Sequence, residues 1–415
     1  MSTGNNELTK FIPRLQGDEF LRPFELLNGE LSPEAALRVD GPAVASARQR
    51  LVEDEVTAVR TRLRESFEPT ETEESFFAPG IEATASFLRA VAVEGDFIAA
   101  RESQARAIMN NIYTPIPPPL MAGQFSQVAI FTTEMDEARF AKRVKSHVAY
   151  KHAHEELGGI RLLLYQIFAL VVLWPNCGTL PGLVDRILVA LDQTLGKTRF
   201  FIGQRLRGVS RKNPETFVEV LLQLFNVGML YVYGVNSDNV RSPTSNLAFS
   251  FLAETPKATG IPVMLSGSCA LLNHLREQPA AGNELLHNQH IEISSYGFAD
   301  GSRAASSCWA RLPPAIRERI SEQTMADILQ KSGFQRRLYV KAATAVVNEI
   351  MNSGISSKDD QLAVADAALS RHKGILIAIS EAAKGHAISG EYKTRFQEFL
   401  PLSTQYISHG KKGAK

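Results

Sequence analysis

The sequence predicts an α/β protein: a parallel core sheet, a mostly helical N-terminal region before it and a helical lid after it. Three observations predict this. From about residue 124, short continuous apolar runs alternate with amphipathic stretches, the pattern of strands buried on both faces by helices. After about residue 310 only helical periodicity remains. Before residue 120 the pattern is loop, then helix, then a proline-rich stop.

In chain order, residues 1 to about 42 are punctuated by Pro13, Pro23, Gly29, Pro33, Gly41 and Pro42 and read as loop. Ala43 to Phe67 reads as one helix, with Val52, Val56, Val59, Leu63 and Phe67 at helical spacing. The acidic, proline-containing stretch Glu65 to Glu74 reads as an exposed connection. Helical patterns resume over Ile81 to Val93 and Phe97 to Ile112. Tyr113 to Pro119, with four prolines in seven residues, stops helix and favours an extended linker. The predicted strands are Val128–Phe131, Ile167–Leu173, Met229–Val235 and Ile261–Leu265. The helices between and after them are Asp136–His147, Leu180–Leu195, Thr216–Phe225, Ser245–Glu254 and Ala270–Arg276. Thr324–Lys331, Arg337–Met351, Lys358–Ser370 and Ile375–Ala382 then make a bundle. The expected division is 1–120 as a helical, partner-docking region, 121–310 as the α/β core, and 311–415 as the lid with a basic tail.

Composition narrows the function. At about 100–200 residues per domain, 415 residues suggest two or three domains. Lys+Arg total 45 against Asp+Glu 44, a net charge of +1, so nucleic-acid contact requires a local patch. Cys177, Cys269 and Cys308 are scattered without a CxxC, which excludes a cysteine zinc site and a disulfide framework and fits a reducing cytoplasm. The longest apolar stretch, Leu162 to Trp174, has 13 residues, against the roughly 20 of a membrane span. The N-terminus lacks the apolar core of a signal peptide. The expectation is a soluble, cytoplasmic protein with no membrane partner.

Parallel strands wrapped by helices, then a helical domain, make the AAA+-like P-loop architecture. Its chemistry requires a G-x-x-x-x-G-K-[ST] loop after the first strand, whose backbone amides and lysine hold phosphates and whose hydroxyl holds magnesium. On that pattern the two glycines fall on Thr132 and Glu137, the lysine on Ala138 and the hydroxyl on Arg139. Glu134, Asp136 and Glu137 would face a triphosphate with like charge, at a cost of ~1 kcal/mol per contact at 4 Å in water and several times more when partly buried. The third strand should end in Asp-Glu but ends in Tyr233-Gly234, which offer neither a metal carboxylate nor a base.

Five blocks, in order, resemble the TniB/TnsC family of AAA+ transposition regulators. Leu173 to Val184 is similar to that family's C-P-x-x-G-S-x-K-G-L segment, and Ala190 to Gly196 to its A-L-D-x-x-L-G helix end. Gly228 to Asn236 aligns with G-L-L-V-I-D-E-I-Q, and Gly260 to Leu272 with the sensor strand, Ser268 standing for the sensor threonine. Ile328 to Met351 resembles the lid helices. The blocks cover about half the chain. The resemblance implies an ATP site between subunits that holds a ring or filament together, and a place in DNA transposition. Ala138, Arg139, Tyr233 and Gly234 stand where its Walker residues would be, and Pro279 and Ala280 where its trans-acting arginines would fall.

Other groups are weaker signals. His152, His154 and Glu155, and His287, His290 and Glu292, lack a third partner at fixed spacing, and polar-surface or supporting histidines are expected rather than metal ligands. Cys177 and Cys269 are expected to be buried, inert thiols, and Tyr231 and Tyr233 packing residues. Lys142, Arg143 and Lys145 after the degenerate loop, Arg205, Arg207, Arg211 and Lys212 before a helix, and the tail His409 to Lys415 are candidate contacts to double-stranded DNA phosphates.

These readings together suggest a catalytically inactive AAA+-like adaptor needing no cofactor and no metal. It would link target DNA or a targeting protein to the transposase, beside an active AAA+ paralogue. The alternatives are a divergent regulator that still binds nucleotide, and a pseudo-ATPase scaffold of another function such as phage defence.

Overall fold

A computed structural model describes residues 71–93, 97–109, 112–119, 122–131, 134–147, 151–157, 160–196, 214–240, 243–288, 290–293 and 298–383. The expected loop and helix before residue 70, the basic residues Arg205, Arg207, Arg211 and Lys212, and the tail from His409 lie outside them. The chain divides into two units. Among the described residues, the first contains those from Glu74 to Ile130 and from Glu137 to Ile291, and the second those up to Glu73, those from Phe131 to Asp136 and those from Glu292 onward.

The first unit is built on a five-stranded sheet of β1 (Ser126–Phe131), β4 (Leu170–Leu173), β5 (Leu230–Val235), β6 (Val263–Gly267) and β7 (His290–Ile293), in the order β4-β5-β6-β1-β7. The pairs β4 with β5, β5 with β6 and β6 with β1 are parallel. All six residues of β1 and all five of β6 are buried, as continuous apolar runs imply. A two-stranded antiparallel hairpin, β2 (Lys151–Leu157) and β3 (Ile160–Ile167), stands apart from this sheet.

Around the sheet lie α1 (Glu71–Val93), α2 (Phe97–Met109), α3 (Glu134–His147), α4 (Leu180–Leu195), α5 (Pro214–Leu224), α6 (Thr244–Thr259), α7 (Cys269–Glu277) and α8 (Pro279–Leu285). α4 has the predicted bounds because each signal is local. Thr179 caps its start by accepting from the Gly182 amide, and Gly196 ends it in the left-handed region at φ 70. Its buried face is Leu183, Val184, Ile187, Leu188 and Leu191.

The N-terminal helices pack on the sheet's own unit rather than forming a module beyond the prolines. Gly80 lies so close to Met264 that a Cβ there would stand 2.3 Å from its sulfur. Phe76 and Phe77 of α1 meet Phe140 at ring distances of 5.6 and 6.0 Å. Arg101 donates to Asn226 Oδ1 at 2.9 Å. The proline segment is clamped too. Gln223 Oε1 accepts from the Ile116 amide at 2.9 Å, its Nε2 donates to the Ile116 carbonyl at 2.6 Å, and Tyr113 packs edge-on against Phe217. Tyr113 to Pro119 carries no helix, as predicted, but is docked.

Two further expectations change. Ile167–Leu173 is not one strand: Phe168 and Ala169 separate the hairpin from β4. The acidic stretch is not an exposed connection at its end. α1 begins at Glu71, and Glu73 is 1% exposed, paired with Arg336.

The second unit contains the C-terminal helices α9 (Phe298–Ala310), α10 (Pro314–Arg317), α11 (Glu322–Lys331), α12 (Arg336–Ser353), α13 (Lys358–Leu369) and α14 (Lys373–Ala383). Their shared core includes Cys308, Met325, Ile328, Leu338, Val346, Val347, Ile350 and Leu369. This is the predicted bundle.

On α5, burial and the nearby Glu215 and Glu254 raise the Glu219 carboxyl to about 7. An acid raised in the folded state keeps a proton that the unfolded chain gives up near its ordinary pKa of about 4.3. Stability therefore falls as pH rises from about 4 to 7. Glu219→Gln is expected to match the parent at pH 4 and exceed it at pH 8 in chemical denaturation. An equal offset at both pH values would remove Glu219 from this role.

Candidate functional site

In an open parallel sheet, ligands bind outside the carboxyl ends of the strands, where successive connections leave in opposite directions. Here that point is between β1 and β6. From β1 the chain leaves toward β4 and β5, whereas from β6 it leaves toward β7 on the other side of β1. A phosphate-binding loop would have to follow β1. Thr132 and Thr133 stand between β1 and α3, and both lie outside the described residues. The positions assigned to the last glycine, the lysine and the hydroxyl are already helical: Glu137, Ala138 and Arg139 lie inside α3.

Glu137 is 2% exposed. Its Oε1 accepts from the Gly234 amide at 2.7 Å and from the Ser266 hydroxyl at 2.6 Å. Ser266 is in turn 2.8 Å from the Tyr231 hydroxyl. With its own proton given to Glu137, Ser266 accepts from Tyr231. The carboxylate thus ties α3 to β5 and β6 at the switch point. The Tyr231 ring packs edge-on against Phe76 and Phe140, so apolar surface backs this network.

The two β5 positions where a magnesium-holding Asp-Glu would stand belong to the same arrangement. Gly234 has φ 89, a conformation open to glycine, and supplies the amide. Tyr233 is half-buried, and burial followed by the Glu137 charge pushes its phenol up. Asn239 braces the loop after β5: its Nδ2 donates to the Gly234 carbonyl at 2.7 Å, and its Oδ1 accepts from the Asn236 amide at 2.8 Å. Ser268 is buried and caps α7, its hydroxyl accepting from the Ala270 amide. Ala138 and Arg139 do not share the burial of Glu137: Ala138 is exposed and Arg139 half-buried.

Of the first basic group, Lys142 and Lys145 are exposed on α3, but Arg143 is 2% exposed, and burial takes it out of a surface patch. Lys145 donates to Gln193 and Lys151 to the Leu195 carbonyl, so two ammonium groups meet the last turn of α4, where the helix dipole favours cations. Cys269 is buried as expected, but Cys177 is exposed. A hydrogen bond with Thr179 holds its thiol below the ordinary range. His152 is half-buried and His154 buried, so the first histidine pair is not polar surface. Among the described residues no group of three or more His, Cys, Asp or Glu could hold a metal ion, and no helix is long and apolar enough to cross a membrane.

No family model matches the chain, and no curated protein does. Solved structures with some similarity to it include those of three proteins. The Aeropyrum pernix ORC2 protein in its ADPNP–ADP complexes is 14% identical, with a TM-score of 0.41 over 72% of this chain and 78% of that one. Cdc6p from Pyrobaculum aerophilum is 13% identical, with a TM-score of 0.39 over 74% and 82%. A RuvB mutant from Thermotoga maritima is 11% identical, with a TM-score of 0.35 over 75% and 84%. Likenesses this distant carry no argument about function; the fold rests on the parallel strand order and the helical second unit described above.

Proposed function

We propose that the chain is a catalytically inactive AAA+-like adaptor of DNA transposition, working in the cytoplasm to link target DNA or a targeting protein to a transposase, alongside an active AAA+ paralogue. The observation that supports inactivity is the Glu137 carboxylate held by Gly234 and Ser266 at the switch point. A nucleotide's phosphates would meet a buried negative charge there, and the two residues between β1 and α3, Thr132 and Thr133, include no glycine. The transposition reading is supported by the five sequence blocks shared in order with the TniB/TnsC regulators.

Calorimetry with magnesium-ATP at millimolar concentration is expected to show no saturable binding. Ala138→Lys should not restore it, because position 138 faces solvent and the Glu137 charge remains. Light scattering should show the same particle size with and without ATP. A saturable isotherm, or ATP-triggered growth into rings or filaments, would replace this reading with that of a nucleotide-binding regulator. DNA contact is proposed through the exposed Lys142 and Lys145, and through Arg205, Arg207, Arg211 and Lys212.

A further inference from the structure

We propose that His152, His154 and Gln166 form a binding site for a borderline divalent d-block cation of the Zn2+ class, on one face of the β2–β3 hairpin. Successive side chains of a strand alternate between faces, and residues directly opposite in register share one. His152 is opposite Gln166, and His154 is two residues along the same strand. The three side chains therefore stand on one face. Lys151, Ala153 and Tyr165 occupy the other, where the Lys151 ammonium lies 5.1 Å from the Tyr165 ring centroid. The one formal positive charge among these six residues is held off the histidine face.

The rings and the amide are close together. The two imidazole centroids are 4.7 Å apart, and His154 Nε2 is 2.8 Å from Gln166 Oε1. Two donors about 2.1 Å from a tetrahedral zinc stand roughly 3.4 Å apart, so the 2.8 Å pair must open by about 0.6 Å to admit the ion. The two imidazoles and the amide oxygen would supply three protein ligands, leaving a fourth position to water. Gln166 completes the donor set. It is fully buried, and its Nε2 has no hydrogen-bond partner. An amide held in this way costs stability unless something else at the site uses it. A cation on Oε1 would orient the amide and polarise that N–H toward water bound beside it. Borderline nitrogen-rich donor sets of this kind suit Zn2+, Ni2+ and Co2+ over calcium or magnesium.

The site is independent of the nucleotide question and is tested separately. The untagged full chain, stripped with EDTA, is titrated with ZnCl2 by calorimetry and with CoCl2 by visible absorption. The expected result is one saturable equivalent, with a cobalt spectrum of low-coordinate type that added zinc abolishes. His152→Ala, at a half-buried position, should weaken binding about tenfold or more, and Gln166→Glu should strengthen it by replacing an amide oxygen with a carboxylate. His287→Ala should change nothing. Absence of saturable uptake by the folded chain overturns the site, and so does uptake that His152→Ala leaves unaltered. Circular dichroism establishes that each variant is folded, and should Gln166→Glu fail to fold, His152→Ala decides.

Discussion

Glu137→Ala is expected to lower the stability of the sheet unit by about 2–4 kcal/mol. The loss has two parts. The substitution removes the acceptor shared by the Gly234 amide and the Ser266 hydroxyl, and a buried donor left unpaired costs about 1–3 kcal/mol. It also leaves a void beside Gly234 and Ser266, and voids add their own cost because the surroundings relax only in part. Glu137→Gln keeps an acceptor oxygen at the same reach and should lose about half as much or less. Formate or acetate at high concentration should restore part of the stability of Glu137→Ala, because a small carboxylate fits the vacated space and presents the same oxygen. Urea denaturation followed by tryptophan fluorescence, with and without formate, reads all three. A loss below about 0.5 kcal/mol would mean that the carboxylate is not what ties α3 to β5 and β6. None of these variants should gain magnesium-ATP binding, since removing the charge creates no phosphate loop.

The ion pair between Arg336 and Glu73 should be the more sensitive contact. Its nitrogen and oxygen are 3.1 Å apart, and the two side chains are 7% and 1% exposed. Removing one partner of such a pair leaves a charge in a poor solvent, typically at a cost of about 3–5 kcal/mol. Arg336→Met and Glu73→Leu are each expected to lose that much. The double variant should recover most of it, because replacing both charges by apolar groups removes the desolvation penalty as well as the attraction. A double variant as unstable as the sum of the singles would show that each side chain acts through other contacts. Thermal unfolding of the four proteins completes the cycle.

The contrast between α4 and Glu137 separates what local sequence encodes from what it does not. The start of α4 needs only Thr179 and Pro181, its end only Gly196, and its buried face only the spacing of Leu183, Ile187 and Leu191. Every one of those signals lies within a few residues of the structure it specifies, so the element is legible without knowing the fold. The same holds for the apolar runs of β1, β5 and β6 and for the C-terminal helices. The absence of glycines and lysine after β1 is legible on the same terms. The hairpin β2–β3 was hidden because its apolar C-terminal strand runs almost unbroken into β4, and its other strand carries histidines and charges. Glu137 read as a charge that would repel a phosphate. Its two donors lie 97 and 129 residues away in the chain, and no local pattern announces them. Glu73 read as solvated for the same reason, its partner being 263 residues distant. Periodicity and capping are nearest-neighbour properties and survive in the one-dimensional string. Whether a carboxylate meets water, an amide or a guanidinium depends on which distant elements the sheet order and the bundle bring beside it, and that is settled only when the chain has folded.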